Sequence, residues 1–140
     1  MARDGGIGRF QKKMRALPVA VRQAVGPAAL KGAEDIADMV ENLAPEDTGD
    51  LVGSVAVTPG GQQTPPYSHP GGSYTVPEGA AAVTVGNSDV RYPHLQEYGT
   101  TKMAAQPFFW PSVRSMQKRA TNRVKRAMAK AVKDEWGKSR

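Results

Sequence analysis

Cysteine is absent from the chain. This excludes a disulfide framework and a thiolate metal site, and it fits a reducing cytoplasm. Aromatic residues are scarce, at 6% of 140 positions, so the run Phe108, Phe109, Trp110 stands out. No apolar run approaches the length that spans a bilayer. The opening segment MARDGGIGRFQKKM lacks the apolar core of a secretion signal. A soluble protein, made and assembled in the cytoplasm, is expected. Glycine and proline are abundant, with 15 and 11 residues, so part of the chain is expected to be loop or flexible. The length predicts a single domain over 1–140 with a small core.

Acidic residues are nearly missing from one region. From Ser112 onward there are ten basic residues: Arg114, Lys118, Arg119, Arg123, Lys125, Arg126, Lys130, Lys133, Lys138 and Arg140. Only Asp134 and Glu135 oppose them, a local charge of +8. The whole chain carries +6, so the remainder carries −2. The basicity belongs to one C-terminal element, and such a field attracts nucleic acid or an acidic protein surface.

Periodicity predicts the elements. Residues 1–8 are polar and Gly-rich and are expected to fray. Phe10, Met14 and Leu17 recur at helical spacing, which predicts a helix over 9–25. Pro18 is expected to restart or kink it. After Gly26-Pro27, a second expected kink, Leu30, Ala33, Ile36, Ala37, Val40, Leu43 and Ala44 form one apolar stripe. That predicts a helix over 28–44, ended by Pro45. Asp47, Thr48 and Gly49 have turn chemistry. Leu51, Val55 and Val57 alternate, which predicts a strand over 51–58. Residues 59–79 carry no period, and a flexible arm or loop is expected there, hairpin-like or ordered by a partner. A second strand is predicted over 80–86, closed by a Gly86-Asn87 turn. YPHLQEYG could be a third strand or a short helix. A long helix is predicted from Pro111 to Trp136, with Gly137 as its stop. The fold class is therefore α+β: an N-terminal helix, a small antiparallel sheet with a long projecting loop, and a long C-terminal helix packed on the sheet.

No constellation points to catalysis. His69 and His94 have no carboxylates at ligand spacing, so no metal and no cofactor are expected. Glu46, Asp47 and Asp50 are explained by turn and helix-end chemistry. Glu97 beside Tyr98 could be an acid/base pair, but no nucleophile–base arrangement accompanies it. The GGIG and PGG stretches lack the context of a phosphate loop. An enzyme is not expected. The basic helix is either a solvated face or a contact for DNA or an acidic neighbour. Ten like charges against two are heavy for the former, because like charges one turn apart repel. The aromatic cluster could stack on bases, but packing is favoured, with Pro107 and Pro111 stiffening the backbone around it.

Two motif blocks occur in order. The first is APEDTGDLVGS, Ala44 to Ser54. The second is YPHLQEYGT, Tyr92 to Thr100, followed by MAAQPF, Met103 to Phe108. With the flanking helices they resemble the tail-completion, or head–tail joining, family of long-tailed double-stranded-DNA phages and related prophage particles. The chain departs from that pattern in a longer, Pro- and Gly-rich 59–79 segment and in Pro93. The resemblance implies a non-catalytic virion protein forming a ring in the phage neck. It would complete the tail and join it to the DNA-filled head. A homo-oligomeric, six-fold ring would match a tail tube, with neck and tail-tube proteins as neighbours and genomic DNA in the lumen. The resemblance also marks Asp47, Thr48, Gly49, Tyr92, Glu97, Tyr98, Gly99, Thr100, Met103, Pro107 and Phe108 as family or interface positions. Arg114, Lys118, Arg119, Arg123, Arg126 and Lys130 are expected to form the face for DNA or an acidic partner. The competing reading is a basic cytoplasmic nucleic-acid-binding module.

Overall fold

A computed structural model of the chain describes residues 7–44, 50–90, 93, 99 and 107–138. The first helix, α1, spans Ile7–Ala16 and buries Met14. Leu17 and Pro18 break it, because a residue before proline is pushed out of the helical region. Pro18 is extended, at φ −55 and ψ 149, and caps the start of α2, Val19–Leu43. Proline thus restarts the helix as expected.

The second expected kink is not a break. α2 runs unbroken through Gly26-Pro27 for 25 residues, merging the expected 9–25 and 28–44 helices from Val19 on. Pro27 forgoes one intrahelical hydrogen bond. Its ring is exposed, while Val21, Val25, Gly32, Ala33, Ala37 and Val40 are buried along the helix. Tertiary packing of that face outweighs the local loss.

The predicted strand over 51–58 is corrected in its first half. Asp50–Gly53 is a single helical turn, α3, and the strand β1 is only Ala56–Pro59. The misreading has a physical cause. Leu51 and Val55 are four apart, a spacing common to one strand face and one helix face. The turn is held by Ser54, whose Oγ donates to the Leu51 carbonyl at 2.7 Å and accepts the Gly86 N–H at 3.0 Å.

β2, Ala81–Thr84, pairs antiparallel with β1 in the register Ala56↔Thr84 to Pro59↔Ala81. Pro59 ends its strand, where a missing N–H is tolerated. The segment between the strands is hairpin-like. Gly61 N–H donates to the Val76 carbonyl and Val76 N–H to that of Gln62, both at 2.8 Å. Thr64 Oγ1 donates to the Gly72 carbonyl at 2.8 Å and accepts the Tyr74 N–H at 2.9 Å. The tip then folds back onto the sheet, where His69 and Val85 exchange backbone hydrogen bonds of 2.8 and 3.0 Å. After β2, Asn87 Oδ1 accepts the N–H groups of Asp89 and Val90, the expected turn chemistry.

The last helix, α4, is Phe109–Lys138, so it starts before Pro111 and runs through Gly137. Pro111 lies in the first turn, as its missing N–H favours. Gly137 is not a stop. α2 packs on both strands and along α4. The two helices come close at Gly32, where a Cβ would lie 3.0 Å from that of Ala120. The core joins all layers: Val40 and Ala44 from α2, Leu51, Val85, Val90, and Phe108 and Phe109 at the start of α4, with Val83 and Val113 packed against them. The α+β class, with the C-terminal helix packed over the sheet, is as expected. No helix among the described residues is long and apolar enough to cross a membrane.

Candidate interaction surfaces

Three surfaces are formed by residues that sequence reasoning singled out or missed. The first is the aromatic start of α4. Phe108 is fully buried and Phe109 nearly so. Trp110 meets Phe109 edge-to-face, with centroids 5.1 Å apart and planes at 89°. Buried rings cannot stack on bases, so Phe108 and Phe109 act as packing anchors. Ser112 fixes this turn, its buried Oγ donating to the Phe108 carbonyl at 2.6 Å. Of the other motif positions, Pro107 is exposed and Gly99 takes φ +76. Asp47, Thr48, Gly49, Tyr92, Glu97, Tyr98, Thr100 and Met103 lie outside the described residues.

The second surface is the basic side of α4. Arg114, Lys118, Arg119, Arg126 and Lys130 are exposed. The helical period separates them into two strips. Arg114 and Lys118 share one with Lys125. Arg119, Arg126 and Lys130 share the other with Lys133. Arg123 lies on the α2-facing edge of the second strip. Its Nη2 donates to Asp35 Oδ2 of α2 at 2.9 Å, with the two side chains 32% and 22% exposed. Lys31 approaches the same Asp35 at 4.0 Å. Position 123 follows Met116 and Ala120 on the side facing α2, so its period marks it as an inter-helix residue.

The third surface was not foreseen. An open apolar groove of about 360 Å³ lies between α2, β2 and α4, lined among others by Ala33, Ile36, Val83, Trp110, Val113 and Thr121. It joins residues far apart in sequence, so no local pattern announces it. A further hollow of about 370 Å³ beside α1 sets Arg15 and Arg22 against Glu78 and carries no single sign of charge. Among the described residues there is no cluster of His, Asp or Glu that could hold a metal ion.

These surfaces are built on a core whose sequence matches a known family. Residues 8–99 match the family model described as Bacteriophage HK97-gp10, putative tail-component. The chain belongs to this family. It is a structural tail component of a bacteriophage, a virion protein that works among other tail and neck proteins. The match takes in α1 to β2 and the motif up to Gly99, and ends before Phe108 and α4. Searches of curated proteins and of solved structures return no match.

Proposed function

We propose that this tail component forms a closed ring in the phage neck, completes the tail and joins it to the DNA-filled head, without catalysis. The reading is carried by the strip Arg119, Arg126, Lys130 and Lys133. It projects from a helix that is itself locked to the family-matched core through Gly32–Ala120 and Arg123–Asp35. A rigid, single-sign strip suits a lasting contact with passing DNA or with an acidic ring, because complementary potentials set register and exclude wrong partners. In a ring, one strip per subunit repeats around the axis.

The test is charge reversal of the exposed strip alone: Arg119→Glu, Arg126→Glu and Lys130→Glu together. Arg123 is left intact, since a glutamate there would face Asp35 and disturb α2–α4 packing. Yield of infectious particles is expected to fall by about ten-fold or more, the effect of about 1.4 kcal/mol lost from docking. Unjoined heads and tails should accumulate while the far-UV circular dichroism stays native. Normal yield with all three changes would remove the strip from the joining function. The nucleic-acid-binding alternative draws on the same strip. It predicts that an isolated monomer binds duplex DNA with a log–log salt slope of about −0.9 per phosphate contacted.

A further inference from the structure

Two charged faces of the chain are built to the same spacing. From Glu34 to Leu43, α2 carries Glu34, Asp35, Asp38 and Glu41 and no basic residue. Asp35 is taken by Arg123. Glu34, Asp38 and Glu41 are exposed on the solvent side of the helix, at positions i, i+4 and i+7. On α4, Arg126, Lys130 and Lys133 are exposed and follow the same i, i+4, i+7. Each set spans about 10.5 Å of helix axis. Both faces repel themselves: Glu34 and Asp38, like Arg126 and Lys130, are like charges one turn apart. Glu41 lies in the last turn of α2, which holds no basic residue, at the negative end of the helix dipole. Among the described residues, no cation comes within ion-pair distance of Asp38 or Glu41, and no carboxylate within that of Arg126, Lys130 or Lys133. Lys31 borders the first face, 3.8 Å from Glu34, and Asp134 borders the second, one turn from Lys130. With these neighbours counted, the two three-residue faces keep charges of −2 and +2, and Arg119 adds to the second.

One chain cannot bring its own two faces together. α2 and α4 run antiparallel: Val40 and Ala44 cluster with Phe108 and Phe109, and Gly32 meets Ala120. From that crossing Asp38 and Lys130 lie in opposite directions, about 24 Å apart along the axes. We propose that the acidic face of α2 docks on the basic strip of α4 of a second copy of this chain. With the two helices parallel, Glu34 pairs with Arg126, Asp38 with Lys130 and Glu41 with Lys133. The faces are different surfaces of one molecule, so the contact is head-to-tail and can close into a ring. Complementary potentials at matched spacing set the register, and like-charge repulsion opposes strip-to-strip and acid-to-acid contacts. This deepens the ring reading and rests on it only for closure: the acidic partner of the strip is the adjacent subunit.

Charge exchange in the full-length chain tests the contact. One variant carries Asp38→Lys and Glu41→Lys, a second Lys130→Glu and Lys133→Glu, and a third all four changes. Association is measured by sedimentation, alone and with tail tubes. Either two-residue variant should associate about 100-fold or more weakly than the unaltered chain, because like charges then face each other. The four-residue variant should associate within about ten-fold of the unaltered chain, since each face again meets its opposite. So should an equimolar mixture of the two-residue variants, which can alternate around a ring. Circular dichroism should stay native throughout, and lysines near the end of α2 favour that helix. Two-residue variants that assemble normally would overturn this contact and leave the ring intact. So would a four-residue variant as defective as the other two. If the strip binds DNA instead, Asp38→Lys with Glu41→Lys leaves assembly unimpaired, which also overturns the contact. A chain that stays monomeric, alone and with tail tubes, would overturn both the contact and the ring.

Discussion

Replacing Phe108 with alanine is expected to lower the stability of the fold by about 3–5 kcal/mol. The ring is completely buried in the cluster that unites α2, Leu51, Val85 and the start of α4. Truncation removes its transfer free energy and leaves a cavity that the surrounding side chains cannot collapse to fill, since they come from four separate segments. The loss is one of packing, since alanine keeps the backbone carbonyl at this position. The Phe108 carbonyl accepts the Ser112 hydroxyl, and that bond holds the first turn of α4 in place. A small domain has only about 5–15 kcal/mol of stability in total, so roughly a fifth or more is at stake. Urea unfolding followed by circular dichroism measures it, with the midpoint falling and the slope unchanged. If Phe108 instead served as a stacking surface, the substitution would alter partner binding and leave stability within about 1 kcal/mol, the usual limit for exposed sites.

The second large effect is expected from Gly86→Ala. Gly86 has φ +94, a conformation that side-chain-bearing L-residues rarely adopt. A Cβ there would lie 2.9 Å from the Val90 carbonyl oxygen and 3.0 Å from Pro93 Cγ. Neither neighbour is the free end of a flexible side chain. The Val90 carbonyl also accepts the Asn87 N–H at 2.9 Å, and Pro93 is buried. Backbone strain and overpacking add, to a cost of about 2–4 kcal/mol. The effect should spread to α3, because the Gly86 N–H donates to Ser54 Oγ. Amide exchange at Ser54 and Gly86 should speed up before that of α2. A stability change below about 0.5 kcal/mol, with exchange unaltered, contradicts this reading of the turn.

Both effects concern positions whose importance is unevenly legible in the sequence. The apolar stripe of α2 was readable because its buried positions follow one period over many turns. The second strand was readable whole, the first only in its second half: a four-residue spacing serves strand and helix alike, so α3 passed for strand. Residues 59–79 show no period because their order comes from scattered backbone pairs such as Gly61–Val76 and Thr64–Tyr74, and from Thr64, Ser68 and Ser73 side chains bonding to backbone. The Gly26-Pro27 pair, an expected kink between two helices, lies inside one helix, because a local rule cannot know which face is buried. The basic helix was legible as charge, yet only the structure separates paired Arg123 from the exposed strips. The groove was illegible altogether, since it forms where three elements meet and its lining residues are unremarkable in their own segments.

The central proposal is that this chain joins tail to head. Electron microscopy of particles made by the phage without it tests that directly, with the gene restored in trans as control. The account predicts DNA-filled heads and assembled tails in the same lysate, present in normal numbers and unjoined, with joining recovered on complementation. Joined particles at normal frequency in its absence would contradict it.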